Sequence, residues 1–229
     1  MKPYLKNFLS LFFPELCVIC RQALMDDEIY FCLDCSLSLP ETNYHFAPAN
    51  NPAMDRFAGK ILVQKASSFL YYSKGGIGPK IISEIKYRGN PDFGLWMGRY
   101  YAEILCRTSF FEDVDCIIPI PLHASKEWKR GFNQSKKIAD GISLVSGIPV
   151  ESDILFRSRA NATQTRKSLY DRWRNTEDVF NIKNPLRLED KHILLVDDVL
   201  TTGSTLESAA GALLEIPHLK LSILTLALA

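Results

Sequence analysis

Between His192 and Leu206 the chain reads HILLVDDVLTTGSTL, an order of residues that few folds accommodate. Ile193, Leu194, Leu195 and Val196 run apolar without alternation, the pattern of a strand covered on both faces inside a parallel sheet. Asp197 and Asp198 follow at the predicted carboxyl end, where open α/β sheets hold their ligands. Val199 and Leu200 lead into Thr201, Thr202, Gly203, Ser204 and Thr205, and an apolar periodicity through Leu206, Ala209, Ala210, Leu213 and Leu214 opens a helix. Successive backbone N–H groups at a helix N-terminus, ringed by hydroxyls, make a cradle for one phosphate dianion. The two carboxylates ahead of it suit the vicinal hydroxyls of a ribose. A bare strand-to-helix turn needs one capping hydroxyl, and here Thr201, Thr202, Ser204 and Thr205 surround a glycine directly after paired acids. No Lys follows Gly203, so this is not a Walker loop, and the spacing is not that of a dinucleotide fingerprint.

The first part of the chain obeys a different logic. Cys17-x-x-Cys20 and Cys32-x-x-Cys35 are separated by 11 residues, a spacing that can set four thiolates tetrahedrally around Zn²⁺. Four protein ligands leave no open position, so such a site is structural. So compact a segment has little else to hold it folded. A disulfide pairing is the alternative, and nothing in the sequence points to an oxidising compartment. Residues 1–48 are therefore expected to be a zinc-binding module and residues 49–229 the main domain, with a linker at Pro48 to Pro52. Leu5, Phe8, Leu9 and Phe12 lie at helical spacing and are expected to dock a short helix on that domain. Cys106 and Cys116 lack ligand spacing and read as core residues.

Along the main domain, Ala66 to Tyr72, Cys116 to Ile120, Ile154 to Phe156, Val179 to Ile182 and Leu221 to Ala229 read as strands. Helical patterns fall at Ile81 to Lys86, Phe93 to Leu105 and Ser125 to Ser143, the last broken near Gly131. Strands alternating with helices predict a doubly wound, mainly parallel α/β sheet. Lys86-Tyr87-Arg88-Gly89 ends a helix with two cations beside a glycine. It reads either as a loop offering charge and N–H groups to a pyrophosphate or as a basic helix C-terminus with a Gly cap. Arg130, Asn133 and Gln134 read as one polar, cationic helix face. Residues 157–174 carry Arg157, Arg159, Arg166, Lys167, Arg172 and Arg174 against Asp171 alone, either a solvated loop or a cover for an anion.

The acid pair followed by Thr-Thr-Gly-x-Thr resembles the binding motif of type I phosphoribosyltransferases. The resemblance implies that the candidate catalytic pair Asp197 and Asp198 holds the ribose hydroxyls of phosphoribosyl pyrophosphate (PRPP). It further implies that Val199, Leu200, Thr201, Thr202, Gly203, Ser204 and Thr205 hold its 5′-phosphate, and that Lys86, Tyr87, Arg88 and Gly89 meet its pyrophosphate with Mg²⁺. Together with the doubled Cys-x-x-Cys and the run Ile118-Pro119-Ile120-Pro121 … Arg130-Gly131-Phe132-Asn133-Gln134, the chain from Phe13 to about Leu224 resembles the ComF (competence protein F) family. Arg159, Thr163, Gln164, Arg172, Asn175 and Phe180 match that family loosely, and Gln164 follows Thr163 directly where the family often spaces them. The resemblance implies a type I phosphoribosyltransferase fold with an N-terminal zinc module, a part in DNA uptake during natural transformation, and single-stranded DNA and a DNA-uptake helicase as partners. Trp173, between Arg172 and Arg174, is the expected base-stacking residue. The alternative is an active phosphoribosyltransferase of nucleotide metabolism with an unknown acceptor, for which no base stands out. An amidotransferase is not expected, because no glutaminase segment precedes the domain.

The formal net charge of +1 over 229 residues excludes a wholesale polyanion binder, so any nucleic-acid contact must be a local patch. No run reaches the length of a membrane span. The apolar stretch at Phe8 to Phe13 is short, is cut by Pro14 and lacks a cleavage site. A cytoplasmic protein is expected.

Overall fold

The computed structural model describes residues 13–87, 90–158 and 179–229. The expected helix at Leu5 to Phe12 lies outside them. The central sheet has four parallel strands in the order β1 (Ala66–Tyr71), β6 (Lys220–Leu228), β5 (His192–Leu200) and β2 (Cys116–Pro119). Alternate residues of β5 and β6 face opposite layers. Leu194, Val196, Leu224 and Leu226 join one apolar core with helices α3 (Ile77–Tyr87), α4 (Pro91–Leu105) and α6 (Gln134–Ser146). Ile193, Leu195, Leu221 and Ile223 join a second core with α7 (Ser204–Leu213). The fold is a doubly wound, parallel α/β sheet flanked by helices, as the alternating pattern predicts.

Polar residues inside the sheet are paired rather than stranded. Ser68 and Thr225 share a hydrogen bond across β1 and β6 at 2.6 Å, Ser67 meets the Tyr101 hydroxyl at 2.6 Å, and His192 Nε2 meets Ser222 at 2.8 Å. Each removes the desolvation cost of an unmatched buried group.

β3 (Leu155–Ser158) and β4 (Val179–Ile182) depart from expectation, forming a separate antiparallel pair rather than joining the parallel sheet. Leu155 and Phe180 bury themselves in the α7-side core. Arg157 is committed there too, its Nε donating to the Pro121 carbonyl at 2.7 Å and its guanidinium lying 5.0 Å from the Phe180 ring centre. Cys116 is buried as expected, whereas Cys106, at the C-cap of α4, is exposed.

Ahead of the sheet, Leu16 pairs with Ala23 to close the first Cys-x-x-Cys turn, and α1 (Leu33–Leu37) carries Cys35. Cys17, Val18, Ile19, Phe31 and Cys32 are buried in the same core as α3 and α4. Tyr30 and Phe31 pack their rings on Phe93 and Trp96 at centroid distances of 4.9 to 5.9 Å. After a short helix α2 (Pro52–Asp55), capped by Asn51, the chain enters β1. No helix among the described residues is long and apolar enough to cross a membrane.

α4 and α6 pack closely enough to leave no room for a side chain at their glycines. A Cβ added to Gly98 would sit 2.2 Å from the Ile138 carbonyl oxygen, and one added to Gly141 would sit 2.0 Å from that of Leu95. Backbone meets backbone at both points. Gly141→Ala should therefore force the helices apart, a cost of about 1–3 kcal/mol or more. Gly211→Ala, in the interior of α7 with no atom within 4 Å, should stabilise by up to about 1 kcal/mol through helix propensity. Urea denaturation midpoints moving in opposite directions for the two variants would bear this out.

Candidate functional site

β5 runs further than its apolar core alone predicts. It stays paired with β6 as far as Leu200↔Leu228, so Asp197 and Asp198 lie within the strand rather than after it. On the other side, β2 stops at Pro119↔Val196, and Ile120 N donates to the Val196 carbonyl as the last link. Pro121 has no N–H to continue the ladder. The acids thus begin where one neighbouring strand ends and the other continues, which leaves an opening in the ladder on the β2 side.

Two helices reach into that opening. Asn133 caps α6: its Oδ1 accepts from Ser135 N at 3.0 Å and Lys136 N at 3.4 Å, and its Nδ2 donates to the Ile120 carbonyl at 2.9 Å. The expected polar face of Arg130, Asn133 and Gln134 is therefore not formed. α5 (Ala124–Arg130) ends at Arg130, Gly131 turns with φ +81°, Asn133 is a cap and Gln134 is buried, its Nε2 without a partner among the described residues. Ser135, which the helix-face reading passed over, donates from Oγ to Asp197 Oδ1 at 2.8 Å. The Asp198 N–H donates to the same oxygen at 2.8 Å.

From the same layer, the last turn of α3 brings Lys86 to Asp198, with Nζ 3.0 Å from Oδ2. Asp198 is buried and Lys86 half-buried, so this pair is screened less than a surface bridge. Burial is the largest influence on Asp197. With the charge of Asp198 it lifts the carboxyl to about 7, against the pull of the Ser135 hydroxyl, the Asp198 N–H and the Lys86 cation. Asp197 as a residue is only half-buried.

Beyond the acids, Thr201, Thr202 and Ser204 are exposed, Thr205 is half-buried, and Gly203 occupies the N-cap of α7 at φ +87°, a conformation that favours glycine. Ser204 N donates to Thr202 Oγ1 at 3.4 Å. Asp197, Val199, Thr201, Gly203, Ser204, Thr205 and Leu206 line a recess of about 30 Å³, room for a water or one anion oxygen. Leu200 is buried beneath it. Glu207, in the first turn of α7, is neutralised by an ion pair with Lys60. Of the expected pyrophosphate loop, Lys86 stands at the acids and Tyr87 closes α3, while Arg88 and Gly89 lie outside the described residues. So do Arg159, Thr163, Gln164, Arg172, Trp173 and Asn175.

The four N-terminal cysteines converge. Their Sγ atoms all lie within 4.8 Å of one another, with Cys20 and Cys32 at 3.6 Å, the spacing of four thiolates about one tetrahedral Zn²⁺. Burial raises the Cys17 thiol, yet N–H groups of Cys20, Cys32 and Ile19 aimed at its sulfur bring it down to about 6. Burial and the neighbouring sulfurs push Cys35 the other way. The cluster is compatible with a structural zinc site.

A phosphoribosyl transferase domain model matches residues 129–227, which span α6, the acid pair, the hydroxyl loop, α7 and most of β6. DNA utilization protein YhgH of Escherichia coli O157:H7 is 29% identical over 205 residues, covering 87% of this chain and 84% of that protein. Competence protein ComFC of Bacillus subtilis is 27% identical over 205 residues, covering 88% and 78%. Competence protein F of Haemophilus influenzae is 33% identical over 129 residues, covering 52% and 56%. The chain is similar to the competence proteins and to the DNA utilization proteins over most of its length. Its fold is that of the type I phosphoribosyltransferases, with a cysteine cluster added at the N-terminal side. The domain match begins at the end of α5, so Lys86 and the cysteines lie outside it.

Asp197 gives the site a pH signature. The folded chain holds this proton more tightly than the unfolded one, so its contribution to stability is full below about pH 4 and is lost as pH rises towards about 7. Asp197→Asn keeps an acceptor for Ser135 and Asp198 N and cannot ionise. Thermal melts should show the variant gaining on wild type at about pH 8, with the gain shrinking at about pH 5.

Proposed function

We propose that this chain is a ComF-type protein that binds phosphoribosyl pyrophosphate with Mg²⁺ at the carboxyl end of β5 and acts in DNA uptake. The observation that carries the reading is the continuity of one surface. The paired acids run directly into a hydroxyl-lined recess at the N-terminus of α7, at the point where β2 leaves β5. A ribose seated there would give its hydroxyls to Asp197 and Asp198 and its 5′-phosphate to the loop Thr201–Thr205 and the helix N-terminus. The leaving pyrophosphate would face Lys86, with Arg88, Gly89, Arg159 and Arg172 as further cations and donors. The donor set fits Mg²⁺ only in company with the ligand, because Asp198 is already paired with Lys86 and Asp197 holds its proton tightly. This suits an ion that usually binds through one or two carboxylates plus substrate phosphates. Mg²⁺, when bound, would neutralise the pyrophosphate as it departs.

Residues 1–48 would be a zinc module, with Cys17, Cys20, Cys32 and Cys35 as its ligands, and residues 49–229 the phosphoribosyltransferase-like domain. The names of the relatives, DNA utilization protein and competence protein, support a role with DNA; the cytoplasm as its place and a DNA-uptake helicase as its partner are part of the proposal. One described residue supports direct contact with a single strand. Trp128, on α5 at the same end of the sheet, is 90% exposed and precedes Lys129 and Arg130. An aromatic face among cations is the usual platform for an unpaired base. The domain match also supports the enzymatic alternative, transfer of the phosphoribosyl group to a small acceptor. Pyrophosphate release in the presence of nucleobases, set against oligo-dT affinity, separates the two.

Calorimetry with PRPP and Mg²⁺ should detect binding to wild type. Asp198→Asn and Thr202→Val should each weaken it by about 1.5–3 kcal/mol, the scale of a hydrogen bond to a charged group. Absence of heat and of any ligand-dependent rise in melting temperature in wild type would end the phosphoribosyl reading. For the cluster, native mass spectrometry should find one zinc per chain, and Cys20→Ser should lose it. A fully folded, metal-free wild type would refute the assignment.

A further inference from the structure

The run Gly131 to Ser135, which separates α5 from α6 and caps the second helix, also ties that helix to the strand carrying the acids. Its hydrogen bonds form a closed circuit. Val196 accepts from Ile120 N at 2.8 Å, and Ile120 in turn accepts from Asn133 Nδ2 at 2.9 Å. Asn133 Oδ1 then holds Ser135 N at 3.0 Å, and Ser135 Oγ returns to Asp197 Oδ1 at 2.8 Å. The circuit leaves β5 at one residue and comes back at the next. With the α4–α6 glycine contacts fixing the body of the helix, the Ser135 hydroxyl has little freedom to be elsewhere.

We propose that Ser135, held by the Asn133 cap, is a positioning residue for Asp197: it occupies Oδ1 and leaves Oδ2 to accept a ribose hydroxyl. The proposal rests on the phosphoribosyl reading of the site and assigns it a residue outside the acid-pair and Thr/Gly motif. Oδ1 already accepts twice, from Ser135 and from the Asp198 N–H. Among the described residues no hydrogen bond reaches Oδ2. With Oδ1 accepting twice, a proton on Asp197 would sit on Oδ2, so that oxygen accepts a ligand hydroxyl best when the carboxylate is ionised, and Ser135 favours that form because its O–H donates. The groups that act on Asp197 are few. Asp198 on the same strand opposes its ionisation, while Lys86 from α3 and Ser135 from α6 favour it. Thr225, its β6 neighbour, and the hydroxyls of Thr201, Ser204 and Thr205 do not titrate in this range. Because Asp197 titrates near neutrality, losing one donor hydrogen bond changes the fraction of acceptor-competent protein at working pH.

The test is the pH dependence of PRPP affinity, measured with Mg²⁺ in wild type, Ser135→Ala and Ser135→Thr from about pH 6 to about pH 9. Ser135→Ala should move the rise in affinity to higher pH by about one unit, a roughly fivefold loss near pH 7 that approaches about tenfold near pH 6 and closes towards pH 9. Ser135→Thr, which keeps the hydroxyl, should restore the wild-type profile. A loss of equal size at every pH, or a Thr variant no better than Ala, would overturn the proposal, since misfolding or lost packing gives that result. A second measurement uses no ligand: the carboxyl carbon of Asp197, identified in ¹³C-aspartate-labelled protein by its absence in Asp197→Asn, is titrated by NMR. Its midpoint should rise in Ser135→Ala, and an unmoved midpoint would overturn the proposal whatever binds. A raised midpoint in a protein whose wild type binds no PRPP would instead refute the phosphoribosyl reading and leave the hold of Ser135 on Asp197 standing.

Discussion

Two helices touching backbone to backbone decide where the chemistry of this fold can sit. Gly98 and Gly141 let α4 and α6 approach until carbonyl oxygens fill the space that a Cβ would take. That contact is set by hard sterics, with no flexible side chain to take up slack. It fixes the height of α6 over the sheet, and the N-terminus of α6 delivers Ser135 to Asp197. A helix a side chain further out would leave the acid with one hydrogen bond fewer and a different proton affinity. The spacing of two glycines thus reaches the acid pair through a rigid body rather than through a chain of adjustable contacts.

The cysteine segment depends on the same layer. It has too few apolar residues for a core of its own, and it borrows one: Val18, Ile19 and Phe31 are buried with Ile81, Ile82, Ile85, Phe93 and Met97. Polar ties reinforce the junction. Arg21, which follows Cys20 with φ +67°, forms an ion pair with Glu84 at 3.0 Å, and Lys80 donates to the Ile19 carbonyl at 3.2 Å. Positions 80 and 84 are one helical turn apart, so the first cysteine knuckle grips α3 along one face. Lys86 stands at the far end of that helix.

Much of this was legible in the residues, and what was not had local causes. The continuous apolar run of β5 and the hydroxyl-rich turn before Leu206 locate the strand, the acids and α7. The doubled Cys-x-x-Cys locates four sulfurs that do converge. The strand's true end was hidden because hydropathy reports burial, whereas β5 extends to Leu200 only because β6 continues beside it after β2 has stopped. The run Arg130 to Ser135 looked like a helix face because the spacing fits. Asn before a helical segment is also a cap signal, and that signal would have put Ser135 in the first turn, near the sheet's carboxyl edge. β3 and β4 carry nothing in their composition to separate an antiparallel pair from two more parallel strands. Cys106 looked apolar enough for the core but falls where α4 ends.

β6 lies between β1 and β5, pairing Ala66 with Ile223 on one side and His192 with Lys220 on the other. The sheet can close only when segments some 150 residues apart in sequence have met, and contacts of that separation form slowly. Before they form, β1 and the β5–β2 pair are two pieces, each with an unpaired apolar edge of the kind that recruits other chains. Past Val196 the acid pair's ladder partner among the described residues is β6, where Asp197 stands opposite Thr225. Its geometry is therefore among the last features to assemble. A partly folded chain would expose sticky edges without yet having a site, so the search for β6 is the step at which crowding by other chains does the most harm.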